Sequence, residues 1–349
     1  TLILNVLNYQ SLIATKASRM RQAAGDRNLI DFGMRRAPGP AAYYAARAAF
    51  IGGFVGTSNV QAGKDFDIPV SGTMAHSFVQ NFNDELTAFR SFSTVWPDNC
   101  VLLVDTYDTL KSGVPNAVTV AREMAERGQK LKGIRLDSGD LAYLTKHSRK
   151  MLDDAGFHDV KIAVSNQLDE YLIKSLLDQH APIDVFGVGT CLVTGQPDAA
   201  LDGVYKLAFA DSKPLIKLSE TINKITIPHK KQVYRLYDDR SKLYGADMIT
   251  LWNEKEISGM YHPFDPVKSI KFESCRAEAL LYQVVKNGER TEKNKPLPDI
   301  VNFCARRLAE LPEEYKRFEN PHIYKVGLSR RLKEERDKLI NNFRRGHLL

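Results

Sequence analysis

A histidine near a predicted helix start is the residue of this chain best placed to do chemistry. The run Ile68-Pro-Val-Ser-Gly-Thr-Met-Ala-His-Ser-Phe78 passes from a β-branched segment through a Gly-Thr turn into a long amphipathic stretch. This order predicts His76 in the first turn of a helix, just beyond the carboxyl end of a strand. A helix amino terminus attracts anions and favours neutral imidazole, a nucleophile able to take a phosphoryl group. A capping or packed histidine is the alternative, which this motif alone favours.

Carboxylates and one guanidinium follow two further predicted strands. Asp105 and Asp108 bracket one tight turn, and Asp137 and Asp140 bracket another. Asp108 and Asp140 stand at expected helix starts, where helix capping is an equally good role. Asp105 and Asp137 fall directly at strand ends, where they could hold the hydroxyls of a sugar or a hydrated Mg²⁺. Arg135 points to the same edge and suits a carboxylate or a phosphate, unless it forms an internal salt bridge with Asp105 or Asp137.

A glycine-rich turn and two aromatic side chains complete the candidate chemistry. Gly187-Val-Gly-Thr190 follows a predicted strand, and its glycines would let backbone N–H groups approach an anion, although a plain tight turn explains them equally well. Phe32 and Tyr43 could offer a flat surface to an aromatic ring, with core packing as the commoner role of such residues. Acidic groups that face a glycine-rich anion site are what a phosphosugar–Mg²⁺ ligand requires.

The elements that must position these residues repeat one theme: a short apolar strand, a polar turn and an amphipathic helix. The predicted strands are Leu29–Phe32, Ile68–Ser71, Cys100–Val104, Gly133–Leu136, Val160–Val164 and Asp184–Val188. The predicted helices include Ser77–Ser91, Asn116–Arg127, Asp140–Ala155 and Asp169–Gln179. This alternation indicates βα units of a parallel sheet or an α/β barrel, in which polar residues at the carboxyl ends of the strands converge on one rim.

Length and patterning indicate more than a barrel alone. With 349 residues, of which 43% are hydrophobic and 26% charged, the chain can bury the core of two domains or of one large α/β barrel. Later in the chain the pattern changes to antiparallel strand candidates, Val204–Phe209 and Pro214–Leu218, and then to a charged helical tail over 298–343. We therefore expect a catalytic α/β barrel over 1–205, and the carboxyl-terminal portion of a second, partly β domain with the helical tail over 206–349.

Charge and cysteine content exclude some classes of partner. The net charge of +7 suits an acidic partner, but the basic runs lack the interleaved aromatic residues of a single-strand binder. A polyphosphate substrate therefore explains the charge better than nucleic acid does. No apolar run is long enough to cross a bilayer, and the four cysteines form no CxxC pair, so we expect no membrane span, no zinc site and a reducing cytoplasm. The chain begins at Thr1 inside an amphipathic pattern, and we expect an amino-terminal part to be missing.

Six ordered motifs resemble those of a known family. They are Asp31-Phe-Gly-Met-Arg-Arg36, Gly56-Thr-Ser-Asn59, Gly72-Thr-Met-Ala-His-Ser-Phe78, Asp105-Thr-Tyr-Asp108, Arg135-Leu-Asp-Ser-Gly-Asp-Leu141 and Phe186-Gly-Val-Gly-Thr190. Together they closely resemble the nicotinate phosphoribosyltransferases. The resemblance implies the type II phosphoribosyltransferase fold, an irregular TIM-like α/β barrel with a second, partly β flanking domain. It also implies the conversion of nicotinate and phosphoribosyl pyrophosphate to nicotinate mononucleotide and pyrophosphate, coupled to ATP hydrolysis, in NAD biosynthesis.

The resemblance assigns roles to residues through their match to the motifs. His76 becomes the histidine that ATP transiently phosphorylates, and Thr73 and Arg135 become contacts to nicotinate. Phe32 would stack on the pyridine ring, and Thr190 would hold the phosphoribosyl phosphate. The resemblance further implies substrate contacts by Arg35, Gly187 and Gly189. It also implies that four residues lie near the ribose and the pyrophosphate–Mg²⁺: Ser165, Asn166, Asp105 and Asp137. The two aspartates would be metal ligands, directly or through water.

One departure from a sister family bears on the choice of substrate. Nicotinamide phosphoribosyltransferases carry an Asp at the position of Ser58, where it receives the substrate amide. A carboxylate there would repel nicotinate, whereas Ser58 does not. Nicotinate is therefore the expected substrate, with nicotinamide as one alternative and an inactive phosphosugar-binding fragment as another. The resemblance also implies Mg²⁺ as cofactor, ATP as co-substrate and a homodimer.

Overall fold

The structure is a computed structural model that describes residues 1–238, 240, 242–272 and 274–346. By internal contacts the chain separates into two units. The first contains Thr1–Asp202 and Leu297–Ala305, and the second contains Gly203–Pro296 and the chain from Arg306 onward. The division into domains after residue 205 that the sequence indicated stays a prediction.

Six short strands form the sheet of the first unit. They are β1 (Asn28–Asp31), β2 (Gly56–Thr57), β3 (Val101–Leu103), β4 (Gly133–Leu136), β5 (Lys161–Ser165) and β6 (Val185–Val188). Their hydrogen-bonded order is β2-β1-β6-β5-β4-β3, and neighbouring strands pair in parallel. Strand side chains such as Ile134, Ile162 and Phe186 are fully buried in the core of this unit. The burial of each contributes about 2 kcal/mol to the stability of the sheet.

The order of these strands follows the chain in a cycle, as it does in an α/β barrel. β1 lies between β2 and β6, the second and the last strand of the sheet. Thr57 of β2 also forms one parallel bridge to Val70, which precedes β3 in the chain. Apart from this bridge, the hydrogen-bonded order ends at β2 on one side and at β3 on the other. The α/β fold class expected from the sequence is confirmed.

Helices precede and connect the strands of the first unit. They are α1 (Leu2–Ala24), α2 (Pro40–Ile51), α3 (Val60–Phe66), α4 (His76–Gln80), α5 (Glu85–Val95), α6 (Val114–Glu126), α7 (Leu141–Asp154), α8 (Glu170–Asp178) and α9 (Thr190–Val193). The side chains of Asn59, Asp84, Asp140 and Asp169 each accept a backbone hydrogen bond in the first turn of the helix that follows. Such caps satisfy donors that have no partner inside the helix, and each stabilises its helix by about 1 kcal/mol.

Two predictions close to His76 were wrong. The segment predicted as a strand over 68–71 makes only the bridge at Val70, because Pro69 has no N–H to donate to a neighbouring strand. The single helix predicted over Ser77–Ser91 is two helices, α4 and α5. Asp84 ends the continuity, since its side chain accepts the N–H of Thr87 at 2.8 Å and starts α5 anew. His76 is nevertheless the first residue of a helix, as predicted.

The second unit is built mainly from strands. They are β7 (Phe209–Ala210), β8 (Lys213–Pro214), β9 (Lys231–Tyr237), β10 (Leu243–Leu251), β11 (Gly259–Tyr261), β12 (Ser269–Lys271), β13 (Arg276–Ala279), β14 (Val285–Lys286), β15 (Glu289–Arg290) and β16 (Lys325–Leu328). Six of them form one sheet in the order β12-β11-β16-β10-β9-β13, and β7-β8 and β14-β15 form two hairpins. Leu236, Ala246 and Met248 are fully buried in its core. The helices here are α10 (Leu297–Glu310), which spans both units, α11 (Glu313–Lys316) and α12 (Arg330–Gly346).

Two predictions for this half were only partly right. The antiparallel strands expected over Val204–Phe209 and Pro214–Leu218 reduce to the hairpin β7-β8, in which Asp211 and Ser212 have positive φ values that form the turn. The tail over 298–343 is not helical throughout, since β16 lies between α11 and α12 and pairs in parallel with β10. Across the described residues, every helix is too short or too polar to cross a membrane.

Candidate functional site

Residues that the sequence singled out meet at the carboxyl ends of the strands in the first unit. A cavity of about 450 Å³ opens there. Parallel strands end at one shared edge, so residues far apart in the chain are brought together. Of the predicted site residues, seven line the cavity: Phe32, Arg35, Ser58, Thr73, His76, Arg135 and Asp137. The wall also contains residues for which no role was predicted: Met34, Gly72, Met74, Ala75 and Leu103.

Arg135, in β4, is held by three side chains. Its Nε donates to Ser165 Oγ at 2.9 Å, its Nη1 to Thr73 Oγ1 at 2.7 Å and its Nη2 to Asp137 Oδ1 at 3.0 Å. Ser165 Oγ also donates to the same carboxylate oxygen. Hydrogen bonds from a charged donor are stronger than neutral ones, and together these hold the plane of the guanidinium. The salt bridge with Asp137, which the sequence left open as an alternative, is therefore formed while Arg135 still borders the cavity.

Phe32 presents an aromatic face next to this guanidinium. Its ring centroid lies 5.2 Å from Arg135 Cζ, within the range of a cation–π interaction. A Cβ added at Gly187 would lie 2.3 Å from Phe32 Cε2, so the absence of a side chain at Gly187 makes room for the ring. The structure thus supplies a steric reason for this glycine beside the role in anion binding expected from the sequence.

His76 stands between a hydroxyl group and two carboxylates. Its Nδ1 lies 3.1 Å from Thr106 Oγ1, a partner that the sequence analysis missed. Its Nε2 lies 3.8 Å from Asp137 Oδ2 and 4.0 Å from Asp105 Oδ1, which is too far for a hydrogen bond. The side chain is 39% exposed, so the imidazole is accessible from the cavity rather than packed in the core.

Asp105 is a buried carboxylate with one unpartnered oxygen. Its Oδ2 accepts the N–H of Asp137 at 2.8 Å and the hydroxyl of Ser138 at 2.6 Å. Its Oδ1 has no hydrogen-bond partner within the described part of the chain, although the side chain is only 3% exposed. An unsatisfied buried acceptor costs about 1–3 kcal/mol, so this oxygen is suited to a donor or a cation brought by a ligand.

The carboxylates beside the cavity are too few for a complete metal site. Among the described residues, no group of three or more His, Cys, Asp or Glu side chains is arranged to hold a metal ion. Mg²⁺, however, keeps several water ligands and is often held by one or two carboxylates together with substrate phosphates. Asp105, with its free Oδ1, and Asp137 fit a hydrated cation of this kind.

A second buried carboxylate, Asp31, fixes the loop that carries Phe32. Its Oδ1 accepts the N–H of Gly33 at 2.7 Å, and its Oδ2 accepts the hydroxyl of Thr57 at 2.8 Å. Its main-chain oxygen accepts the N–H of Ser58 at 2.8 Å. Burial raises the pKa of Asp31, and the hydrogen bonds from Gly33 and Thr57 oppose that rise. The role of Asp31 is not visible in the sequence, because its partner Thr57 is on another strand.

Other predicted residues lie at this edge of the sheet but outside the cavity wall. Asn166 follows β5 and has a φ of 97°, a backbone conformation that is strained for a residue with a side chain and is common at functional sites. Gly189 and Thr190 follow β6, and Thr190 is the first residue of α9. A Cβ at Gly189 would lie 3.2 Å from the main-chain oxygen of Phe32, which places this turn beside the backbone of Phe32.

Three further candidates have structural roles. The hydroxyl of Tyr43 donates to Asp65 Oδ2 at 3.1 Å, and its ring packs on Phe66 at 4.7 Å between centroids. Tyr43 is not among the residues that line the cavity, and a role of its ring towards a ligand stays a prediction. Asp108 and Asp140 accept backbone N–H groups in the turns that follow them, which confirms capping as their role.

Two family models match the chain. The model described as the nicotinate phosphoribosyltransferase (NAPRTase) family matches residues 27–240. The model described as the nicotinate phosphoribosyltransferase C-terminal domain matches residues 230–336. The first match covers more than half of the chain and includes every residue that lines the cavity.

Individual proteins that are similar to this chain carry the same family name as these models. The nicotinate phosphoribosyltransferase of Bacillus subtilis (strain 168) is 46% identical over 338 residues, which cover 94% of this chain and 69% of that protein. The nicotinate phosphoribosyltransferase of Dictyostelium discoideum is 37% identical, with 95% of this chain and 66% of that protein covered. The crystal structure of human nicotinic acid phosphoribosyltransferase superposes with a TM-score of 0.83 at 28% identity and covers 97% of this chain and 76% of that chain. This chain thus spans about two thirds of the length of the curated relatives. It belongs to the nicotinate phosphoribosyltransferase family of phosphoribosyl-transferring enzymes.

Proposed function

We propose that this chain transfers a phosphoribosyl group from phosphoribosyl pyrophosphate to nicotinate and releases nicotinate mononucleotide and pyrophosphate. The observation that carries the proposal is the ring of Phe32 beside the guanidinium of Arg135 in one cavity wall. A flat apolar face next to a fixed cation suits an aromatic carboxylate such as nicotinate. Membership of the family supports the same reaction.

The proposed mechanism relies on positioning and on negative charge. As pyrophosphate leaves, C1 of the ribose gains oxocarbenium character, which the carboxylates of Asp105 and Asp137 stabilise. The pyridine nitrogen of a base stacked on Phe32 attacks C1 from the opposite face, so much of the rate comes from holding the two reactants in line. Arg135 holds the carboxylate of the base, because its three hydrogen bonds prevent the guanidinium from turning.

The remaining residues at the strand ends serve the phosphoribosyl group in this proposal. Thr190, with the turn at Gly189, receives the phosphate on the ribose, since glycine lets backbone N–H groups come close to an anion. Asn166 lies at the same edge, on the strained turn that follows Ser165. Arg35 is exposed in the cavity wall and supplies positive charge for the pyrophosphate.

Mg²⁺ is the cofactor proposed for this reaction. Asp105 and Asp137 would hold it, directly or through water, and the unpartnered Oδ1 of Asp105 supports this assignment. When bound, the ion neutralises charge on the leaving pyrophosphate.

We further propose that ATP transiently phosphorylates His76 and that hydrolysis of the phosphohistidine is coupled to product formation. The accessible imidazole, bordered by Asp105 and Asp137, supports this role. Phosphorylation would add negative charge beside these carboxylates and alter the electrostatics of the whole cavity.

Labelling with γ-labelled ATP tests the coupling. The wild type should acquire an acid-labile, base-stable label, and His76→Ala should lose both the label and the stimulation by ATP while it keeps a slow, uncoupled transfer. His158→Ala is the matched control, because His158 is 71% exposed and pairs only with a surface carboxylate, Asp153, among its described contacts. Absence of label from the wild type would contradict the proposed coupling.

A comparison of nicotinate with nicotinamide tests the choice of base. Ser58 borders the cavity without a charge, so the acid should be turned over with the higher kcat/KM. Ser58→Asp should reverse or abolish this preference, because its carboxylate would repel that of nicotinate. Amide-selective turnover by the wild type would overturn the proposal.

We also propose that the protein is a cytoplasmic homodimer, as the family resemblance implies. Cys100, Cys191 and Cys304 are present as thiols, which suits a reducing compartment. Analytical ultracentrifugation over a range of concentrations should give twice the mass of the chain. A monomer mass throughout would contradict the homodimer.

A further inference from the structure

Thr106 lies at the site but has no role in the reaction proposed above. It follows Asp105 in the turn after β3 and is half-buried. Its hydroxyl oxygen lies 3.1 Å from Nδ1 of His76, thirty positions away in the chain. This hydrogen bond is what orients the imidazole, because Nε2 lies beyond bonding distance of both neighbouring carboxylates.

We infer that Thr106 selects the nitrogen of His76 that receives the phosphoryl group, an inference that rests on the ATP coupling proposed above. A neutral imidazole has one N–H and one nitrogen with a free lone pair. The hydroxyl at 3.1 Å occupies the space in front of Nδ1, so a phosphorus atom cannot approach that nitrogen. When Nδ1–H donates to Thr106 Oγ1, the lone pair is on Nε2, the nitrogen that faces Asp137 and Asp105 at 3.8 and 4.0 Å.

Transfer of the phosphoryl group to Nε2 then requires no loss of a proton from the ring. The lone pair of Nε2 forms a bond to the γ-phosphorus of ATP, and the bond between that phosphorus and the bridging oxygen breaks with its electron pair leaving on ADP. The hydrogen on Nδ1 stays in place, so the ring becomes a cation. Thr106 Oγ1 accepts this N–H, and the carboxylates of Asp105 and Asp137 stabilise the positive ring. Thr106 touches His76 rather than a substrate and is therefore a positioning residue.

Two substitutions separate the hydroxyl of Thr106 from its shape. Thr106→Val keeps the shape and removes the hydroxyl, whereas Thr106→Ser keeps the hydroxyl and removes a methyl group. Rapid-quench labelling with ATP gives the rate, and phosphorus NMR distinguishes the Nε2 from the Nδ1 isomer of phosphohistidine. We expect the wild type and Thr106→Ser to form only the Nε2 isomer. We expect Thr106→Val to react about five- to tenfold more slowly, the effect of one lost hydrogen bond, and to yield both isomers, because a ring that this bond no longer holds can turn and present either nitrogen to ATP.

The outcomes distinguish this inference from the proposed function. An unlabelled wild type would refute the ATP coupling and this inference with it. A labelled wild type that carries the phosphoryl group on Nδ1 would refute the inference alone, as would a Thr106→Val variant with unchanged rate and isomer. If Thr106→Val fails to fold by thermal denaturation, Thr106→Ser still decides, because a mixture of isomers in that variant contradicts selection by the hydroxyl.

Discussion

Gly187→Ala should weaken the binding of nicotinate by displacing the ring of Phe32. The new Cβ would lie 2.3 Å from Cε2 and 2.4 Å from Cδ2 of that ring, whereas ordinary contacts begin at 3.4 Å. The ring must therefore retreat by about 1 Å. Because Gly187 lies in β6, paired with both β1 and β5, the backbone has little freedom to move instead.

The expected size of the effect follows from two interactions. Overpacking of this kind costs about 1–3 kcal/mol. Displacement of the ring also disturbs its contact with the guanidinium of Arg135, which is worth about 0.5–2 kcal/mol. Because the ring is part of the cavity wall, part of this cost is expected as weaker substrate binding. A loss of about 1.4 kcal/mol in the binding free energy of nicotinate would raise its KM tenfold. The melting temperature should fall as well.

Steady-state kinetics with nicotinate as the varied substrate measure this change. Gly72→Ala is the matched control, since Gly72 lines the same cavity but a Cβ there would meet nothing within 4 Å. We expect KM for nicotinate in Gly72→Ala to stay within about twofold of the wild type. If Gly187→Ala binds nicotinate as tightly as the wild type, the ring of Phe32 is not the surface on which the base rests.

Three further substitutions test other parts of the argument. Arg135→Lys cannot reproduce three hydrogen bonds in one plane, so kcat/KM for nicotinate should fall at least about a hundredfold, and near-normal efficiency would contradict the role of Arg135. Burial raises the pKa of Glu85, so the folded state loses stability as the pH rises through this raised pKa. Glu85→Gln should therefore raise the melting temperature at neutral pH but not at a pH below the ordinary pKa of glutamate. Equal changes in melting temperature at the two pH values would contradict this. Asp140→Ala should destabilise α7 by about 1 kcal/mol in denaturant unfolding, and an unchanged midpoint would contradict the capping role.

Local patterns in the sequence predicted the residues whose roles depend on a few neighbours in the chain. His76 is at a helix start and Arg135 is at the end of a strand, as the alternation of apolar and polar residues indicated. The two partners that were missed, Thr106 for His76 and Thr57 for Asp31, lie 30 and 26 positions away from them. Such contacts depend on which strands are neighbours in the sheet, and a single sequence does not reveal the angle at which each side chain leaves its strand.

The wrong helix over Ser77–Ser91 has a different cause. The amphipathic pattern continues across the break, and its periodicity alone predicts one helix. The signal against one helix was nevertheless visible, since Asp84 is a good capping residue and its partner Thr87 stands three positions later. The consequence is a short α4 that carries His76 separately from α5.

The hydrogen bonds of Arg135 determine how many donors it has left. A guanidinium carries five N–H groups, and Ser165, Thr73 and Asp137 each accept one from a different nitrogen. What remains is one N–H on each of the two terminal nitrogens. A planar acceptor with two oxygens matches such a pair, whereas a carboxamide offers one oxygen and would set its own NH₂ group against the second donor. In the proposed reaction, these two remaining donors of Arg135 would favour the acid over the amide, in addition to any effect of charge at Ser58.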